Sequence, residues 1–167
     1  MSLPLETDRL TIRQLTLADA PFIVELVNTP GWLRFIGERN IKTSEQAENY
    51  LKNGPMASYA QNGFGLYGVE LKSEKTPIGM CGLIKRETLP DPDIGFAFLP
   101  EFTGSGFAFE AANAVMSLAT NTLKLLVVLA ITLPENEPSR KLLEKIGLKF
   151  VRMTSSPDKE ELMLYSN

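Results

Sequence analysis

The residues that could carry acid–base chemistry form a short set, because the 167-residue chain contains no histidine. That composition excludes the Ser-His-Asp triad, the Cys-His pair, histidine-ligated zinc and any histidine general base. The single cysteine, Cys81, cannot form an intramolecular disulfide or a site built from several thiolates. Proton transfer must therefore come from carboxylates, Lys, Tyr, Ser or bound water, and no metal site is expected.

The sharpest local pattern is a glycine pair, Gly104 and Gly106, between a predicted strand and a predicted helix. Glycines allow unusual dihedral angles and let a ligand approach the main chain closely. The first N–H groups of a helix have no partner within the helix and lie at its positive end. The pair therefore indicates a phosphate or diphosphate site, although a plain glycine turn before a helix is the commoner meaning of such a pattern.

Two other phosphate-binding motifs are excluded by spacing. A dinucleotide-binding fingerprint needs a third glycine three positions after Gly106, where Phe109 stands. A Walker loop needs Gly-Lys followed by Ser or Thr, which is absent from the sequence. A nucleotide-binding module is thus the weakest of the functional alternatives.

Composition and charge narrow the class further. Hydrophobic content of 44% and charged content of 22% are those of an ordinary globular protein, and the length predicts a single domain over 1–167. A net charge of -3 gives no basic footprint for nucleic acid. The longest apolar run, 125–131, is far shorter than the ~20 residues of a membrane span. We expect a cytoplasmic protein, monomeric or homodimeric, that binds neither nucleic acid nor membrane.

Hydrophobic periodicity predicts the elements that position these residues. Strands are predicted at 9–15, 64–71, 78–86, 93–99, 125–132, 148–153 and 160–165. Helices are predicted after Thr16, Thr43, Gly106 and Asn136, the first two with capping boxes, and Gly54 and Gly147 are expected to end the second and the fourth. The order βααβββαβαββ is an α+β plan with a mixed sheet.

Four short motifs follow one another along nearly the whole chain. They are Leu-Glu-Thr-Asp-Arg-Leu-Thr-Ile-Arg at 5–13, Ile-Gly-Phe at 94–96, the segment 104–111, and Asn136-x-x-Ser139 followed by Glu-Lys-Ile-Gly at 144–147. In this order they resemble the GNAT superfamily of N-acetyltransferases, and specifically its RimJ/RimL-like branch.

The resemblance implies a GNAT-like fold with a mixed, mostly antiparallel sheet of about seven strands and helices on both faces. It also implies a V-shaped split between the fourth and fifth strands, 93–99 and 125–132. Acetyl-CoA would be the cofactor and an amine the acceptor. The cofactor-binding groups that it implies are the main chain of Phe98 and Leu99, the N–H groups of Thr103, Gly104, Ser105, Gly106, Phe107 and Ala108, and the residues Asn136 and Ser139.

Charge near the last predicted helix fits a polyanionic cofactor. Residues 136–152 hold five bases and two acids, so 5 − 2 gives +3 in a chain whose net charge is -3. Attraction of the cofactor would therefore be local. Arg140 and Lys145 are the bases expected to contact it, with an ordinary solvated helix face as the alternative.

Two of the departures from the superfamily pattern, at Glu101 and Leu143, bear most on activity. Glu101 stands where Gln or Arg is usual, so a carboxylate lies beside the expected phosphates, and we expect it to point to solvent. Leu143 stands where many members have a tyrosine general acid, and leucine cannot donate a proton. A catalytically idle acyl-CoA-binding protein of the same fold is therefore the alternative to an N-acetyltransferase.

The remaining candidates for proton transfer are Asp93 and Ser139. Asp93 is the candidate base, acting through water, with a turn residue after Pro92 as the alternative. Ser139 is the candidate proton donor to the leaving thiolate, with a polar residue of a first helical turn as the alternative. The transfer is expected to proceed by direct attack of the amine in a ternary complex.

This limited acid–base supply favours an amine that loses its proton easily. Neutralising a Lys side chain of pKa ~10.4 at pH 7 costs about 4.6 kcal/mol, whereas an α-amine of pKa ~7.7–8.0 costs about 1–1.4 kcal/mol. We therefore expect the acceptor to be a protein N-terminal α-amine or a small-molecule amine. Its pocket is predicted in the loop 28–37, whose Trp32 and Phe35 are expected to be exposed, with a satellite core cluster as the alternative.

Overall fold

A computed structural model describes residues 3–167, so the first two residues of the predicted domain lie outside the described residues. The strands are β1 (Leu5–Glu6), β2 (Leu10–Gln14), β3 (Leu66–Leu71), β4 (Thr76–Ile84), β5 (Asp93–Phe98), β6 (Leu129–Thr132), β7 (Lys149–Ser155) and β8 (Glu161–Ser166). The helices are α1 (Ala20–Val27), α2 (Pro30–Phe35), α3 (Ser44–Asn53), α4 (Pro55–Asn62), α5 (Phe107–Ser117) and α6 (Glu137–Lys145).

All eight strands join one sheet in the spatial order β1-β2-β3-β4-β5-β6-β8-β7. Every neighbouring pair is antiparallel except β5 and β6, which are parallel. β5 pairs with β4 along its whole length, but its only pair with β6 joins Asp93 to Leu129. The sheet therefore splits beyond that pair, which confirms the predicted mixed GNAT-like sheet and the position of its V-shaped opening.

Helices cover both faces of the sheet because successive side chains of a strand point to opposite faces. Cys81 of β4 packs with Val115 of α5 in the larger core cluster, which also contains Leu143 of α6. The adjacent Met80 packs on the other face, in a cluster with Ile23 of α1. The sheet is thus the middle layer, and α5 brings its first turn to the end of β5.

The helix signals in the sequence mark several boundaries correctly. Thr43 and Gln46 form the predicted capping box of α3, with hydrogen bonds of 3.2 and 3.1 Å in the two directions. The helix α3 ends at Asn53, next to the predicted stop at Gly54. Gly147, two residues after the end of α6, adopts φ = 100°, the left-handed conformation expected of a glycine that ends a helix. Within residues 3–167, every helix is too short or too polar to span a membrane.

Four elements differ from the prediction. The segment 28–37 contains the helix α2, started by Thr29 and Pro30, and α4 begins at Pro55 directly after the predicted stop. The sheet also gains the two-residue strand β1. The strand predicted at 125–132 begins only at Leu129, because residues 123–128 connect α5 and the π-helical turn after it to β6, and Leu126 is 92% exposed.

Candidate active site

The main chain of β5 has one open edge along the split. The N–H group of Leu99 donates to the carbonyl of Ile78 on the β4 side, whereas the carbonyl of Pro92 accepts from Leu129 on the β6 side. Main-chain groups alternate between the two edges of a strand. The main-chain N–H and carbonyl groups of the even-numbered residues of β5 therefore point toward β6. Beyond the single residue pair between these strands, the main-chain groups of Phe96 and Phe98 face the gap.

This alternation corrects one sequence prediction. Leu99 was expected to pair with an extended ligand, but its N–H group is bonded to Ile78 and its carbonyl accepts from Phe102. The main-chain groups of Phe98 face the gap, and so do those of Phe96, two residues earlier on the same edge; the binding role of Phe98 stays a prediction. The sequence could have placed β5 but not its register, which decides which main-chain groups remain free.

Six consecutive N–H groups, those of residues 104–109, make no hydrogen bond to any described residue. They run from the loop into the first turn of α5, whose dipole places positive potential there. Gly104 and Gly106 hold φ values of 81° and 85°, which L side chains rarely adopt. A Cβ atom at Gly104 would meet nothing within 4 Å, so space for a ligand lies directly against the main chain.

The limits of this amide segment differ slightly from the prediction. The N–H group of Thr103 donates to the carbonyl of Pro100 at 3.2 Å, so Thr103 cannot use it for a ligand. Phe109 contributes a free amide that the sequence prediction omitted, because the first N–H group of α5 that donates within the helix is that of Glu110, to the carbonyl of Gly106. The side chain of Glu101 is exposed, as expected from its unfavourable charge.

The start of α6 presents polar groups at the same end of the split. The side chain of Asn136 accepts from the N–H group of Ser139 at 3.3 Å and so caps the helix. The hydroxyl of Ser139 has no hydrogen-bond partner among residues 3–167. Arg140 donates from Nη1 to the carbonyl of Pro134 at 3.1 Å, but its buried Nε is without a partner in the described chain.

The C-terminal end of α6 lies beside the amide segment 104–109. The ammonium group of Lys145 lies 4.3 Å from the centroid of the Phe109 ring, in the first turn of α5. Lys145 is thus close to the free amides, as its predicted role requires. The predicted contact of Arg140 with a cofactor is supported by its unpartnered Nε, since buried polar groups are usually hydrogen-bonded.

Asp93 lies where β5 and β6 meet, and it is 1% exposed. Arg86 donates from Nε to Oδ1 of Asp93 at 2.9 Å. Burial raises the pKa of Asp93 to about 6, while the charge and hydrogen bond of Arg86 act in the opposite direction. Asp93 is therefore the first residue of a strand rather than an exposed turn residue, and its carboxyl group can gain or lose a proton near neutral pH.

The structure places the two predicted catalytic residues at different ends of the split. Asp93 pairs with Leu129 at the start of β6, whereas Ser139 lies in the first turn of α6, which follows the end of that strand. They form no hydrogen bond with each other. Leu143 is fully buried, and the buried hydroxyl of Tyr165 in the same core cluster lacks a partner, a feature that the sequence did not reveal.

The predicted acceptor loop differs in one of its two aromatic residues. Trp32 was expected to be exposed, but it is 6% exposed and packs with Ile23 and Leu51 in the core cluster under α1 and α3. Trp32 lies in the first turn of α2, which begins at Pro30 and turns this side chain inward. Phe35 is partly exposed beneath the guanidinium of Arg34, and the roles of both aromatics in acceptor binding stay predictions.

Other nucleophilic or metal-binding centres were not found in the described chain. Burial raises the pKa of the Cys81 thiol, and its side chain is wholly enclosed by the core, so it is not an activated nucleophile. Among residues 3–167, His, Cys, Asp and Glu side chains do not gather in groups of three that could hold a metal ion.

Taken together, these groups fit coenzyme A. Its diphosphate requires several donors close together, which the amides of 104–109 provide beside the open space at Gly104. Its extended pantetheine arm requires a free strand edge, which Phe96 and Phe98 provide. The split sheet and the free amides thus define a site for an extended carrier with a phosphate-containing end, as group-transfer enzymes have.

This chain belongs to the GNAT acetyltransferase family, because the model of the Acetyltransferase (GNAT) domain matches residues 9–149. A Bacillus subtilis (strain 168) protein described as the uncharacterized N-acetyltransferase YoaA is 32% identical over 147 residues. That match covers 87% of this chain and 82% of the relative. The chain is therefore an acetyltransferase.

Solved structures agree with this membership. An acetyltransferase from Agrobacterium tumefaciens strain C58 has a TM-score of 0.84 and 26% identity, covering 100% of this chain and 95% of that chain. RimL, a ribosomal L7/L12 alpha-N-protein acetyltransferase in complex with coenzyme A, has a TM-score of 0.84 and 14% identity. The match covers 99% of this chain and 97% of the RimL chain, and at 14% identity it supports only the fold.

The buried carboxyl group of Asp93 predicts a pH dependence of stability. Its pKa of about 6 in the folded chain exceeds the usual value of 3.8, so the folded state holds an extra proton between about pH 4 and 6. The free energy of unfolding should therefore fall as the pH rises through that window, by about 3 kcal/mol from this group. Asp93→Asn should remove this part of the dependence in urea titrations.

Arg86 supplies the control. Because Arg86 favours the carboxylate, Arg86→Gln should raise the pKa of Asp93 and extend the fall in stability above pH 6. The same change in unfolding free energy between pH 4 and 7 in the wild type and in Asp93→Asn would contradict the raised pKa of Asp93.

Proposed function

We propose that this acetyltransferase uses acetyl-CoA to acetylate a primary amine, by direct attack in a ternary complex. The observation that carries the proposal is the run of six free amides, 104–109, beside the unpaired edge of β5. Coenzyme A is the common acyl carrier whose diphosphate and extended amide-containing arm match these two features. The wholly buried thiol of Cys81 argues against an acyl-cysteine step and supports direct transfer.

In this proposal, the carrier supplies an acetyl group activated as a thioester. The amides of 104–109 hold its diphosphate, and the main chain of Phe96 and Phe98 pairs with its arm. Asn136, Arg140 and Lys145 add polar and positive groups from α6. Positioning of the two reactants in this way can supply about 7–11 kcal/mol of the barrier, so weak acid–base groups suffice.

Two residues are proposed to move protons. The Asp93 carboxylate accepts a proton from the amine through water, so this step requires a pH above the value of about 6 at which Asp93 ionises. The free hydroxyl of Ser139 donates a proton to the departing thiolate. The two residues work separately, since they lie at different ends of the split and share no hydrogen bond.

The acceptor is proposed to be a protein N-terminal α-amine or a small-molecule amine. An α-amine needs only about 1–1.4 kcal/mol to become neutral at pH 7, which suits a site without histidine or a tyrosine at position 143. The RimJ/RimL-like motifs at 5–13 and 104–111 support the protein N-terminus as the first acceptor class to test. Phe35, and Trp32 beneath the surface, are proposed to shape its pocket.

The proposal also covers the extent of the domain and the compartment of the protein. We assign the whole chain to one acetyltransferase domain, supported by a sheet that takes in every strand of residues 3–167. The unpaired thiol of Cys81 favours a reducing compartment such as the cytoplasm.

A thiol-release assay with acetyl-CoA and a panel of amines tests the proposal. The panel should include peptides with a free N-terminus, the same peptides with a blocked N-terminus and an internal Lys, and small amines. Release of coenzyme A with the free N-terminus or a small amine is expected. Tight binding of acetyl-CoA without turnover on any acceptor would instead favour the idle acyl-CoA-binding alternative.

Gly104→Asp should weaken coenzyme A binding about tenfold or more, because it places a carboxylate beside the diphosphate. Gly63→Asp is a matched control, since Gly63 has φ = 77° and also meets nothing within 4 Å of its missing Cβ. Isothermal titration calorimetry should show the loss for Gly104→Asp only. Equal affinities of the two variants would place the diphosphate elsewhere.

Ser139→Ala should lower kcat by about 100-fold with little change in the Kd of acetyl-CoA, because a proton donor acts on the departing thiolate. Ser44→Ala is the control, since Ser44 is an exposed serine in the first turn of α3. Comparable losses in kcat and affinity at Ser139 would make it a binding residue instead.

A further inference from the structure

The side chain of Arg9 connects the segment before β2 to the amide segment, almost a hundred residues later in the chain. Its Nε donates to Oε1 of Glu110 at 2.8 Å, and its Nη1 donates to the carbonyl of Ser105 at 3.0 Å. The Cζ atom lies 4.1 Å from the centroid of the Phe107 ring. The planar guanidinium thus contacts the loop and the first turn of α5 simultaneously.

Glu110 fixes this arrangement from the helix side. Its Oε2 accepts from the N–H group of Arg9 at 2.9 Å and from the hydroxyl of Thr7 at 2.5 Å. Partial burial opposes ionisation of Glu110, but these hydrogen bonds and the charge of Arg9 outweigh it and hold its pKa below the usual value. The carboxylate therefore stays ionised at neutral pH and ties α5 to residues 7–9.

The bond from Arg9 to Ser105 determines how the loop presents its amides. In a trans peptide unit the carbonyl and the next N–H group point in opposite directions. With the Ser105 carbonyl turned toward Arg9, the N–H group of Gly106 must point away from it. Among residues 3–167, Arg9 is the only side chain that bonds the main chain of 104–106, and two of these residues are conformationally free glycines.

We propose that Arg9, held by Glu110, is the positioning residue of the diphosphate-binding loop. Two of its guanidinium nitrogens, Nε and Nη1, bond Glu110 and the Ser105 carbonyl, so Arg9 acts by fixing the loop. This inference rests on the proposed use of acetyl-CoA. It explains how the site can keep its geometry with Glu101 where a basic or amide side chain is usual.

The experiment compares Arg9→Lys and Arg9→Met with the wild type on two acetyl donors. Lysine keeps the charge, but one ammonium group does not reproduce the two-pronged contact. Both variants should therefore bind coenzyme A about tenfold more weakly by calorimetry, with a raised KM for acetyl-CoA and little change in kcat. With S-acetylpantetheine, which lacks the diphosphate, their kcat/KM should equal that of the wild type.

Controls separate this inference from the proposed function. Arg39→Met removes an exposed arginine that has no ion pair within residues 3–167, and it should leave the activity with both donors unchanged. Glu110→Gln is a milder variant in case Arg9 variants fold poorly, and it should give a smaller loss with acetyl-CoA only. A wild type that binds no coenzyme A would sink the proposed function itself.

Three results would overturn the inference while the proposed function survives. The first is unchanged affinity of the Arg9 variants for coenzyme A. The second is full activity of Arg9→Lys beside an impaired Arg9→Met, which would show that only the charge matters. The third is an equal loss with S-acetylpantetheine, which would mark Arg9 as a general structural residue.

Discussion

The parting of β5 from β6 is the constraint on which the site depends. These two parallel strands share one residue pair, Asp93 with Leu129, and then separate. A sheet that stayed paired would use the main-chain groups of Phe96 and Phe98 internally. Because it opens, those groups remain available along an edge that leads to the free amides at the start of α5. Main-chain groups left free along such an edge are available to an extended ligand.

The chemistry that the site can perform is limited by its side chains. Without histidine, and with leucine at position 143, neither an imidazole nor a tyrosine at that position can transfer a proton. What the fold provides is positioning: a rigid strand edge, a helix start with six unpaired donors, and one carboxyl group whose burial raises its pKa to about 6. This combination suits the transfer of an already activated acyl group to an amine that loses its proton easily.

The order of most elements could be predicted from the sequence, because helix starts and strand alternation are local signals. The split sheet was predicted from the resemblance to the GNAT superfamily, and the diphosphate role of residues 104–109 stays a prediction. The sequence could not predict that the N–H group of Leu99 is hydrogen-bonded to β4 while the main-chain groups of Phe96 are free, because that depends on the register between the strands. It placed Trp32 on the surface because a short helix at Pro30, which turns the ring inward, was not recognised. Nor could it pair Arg9 with Glu110, since nothing local indicates a contact between residues so far apart in the chain.

If the amides of residues 104–109 bind the diphosphate of coenzyme A, their NMR signals must change when coenzyme A binds. In a ¹⁵N–¹H titration with coenzyme A, these six amide resonances should move strongly, and titration with pantetheine should leave them in place while shifting Phe96 and Phe98. Six unmoved amides in a sample that otherwise binds coenzyme A would contradict the account.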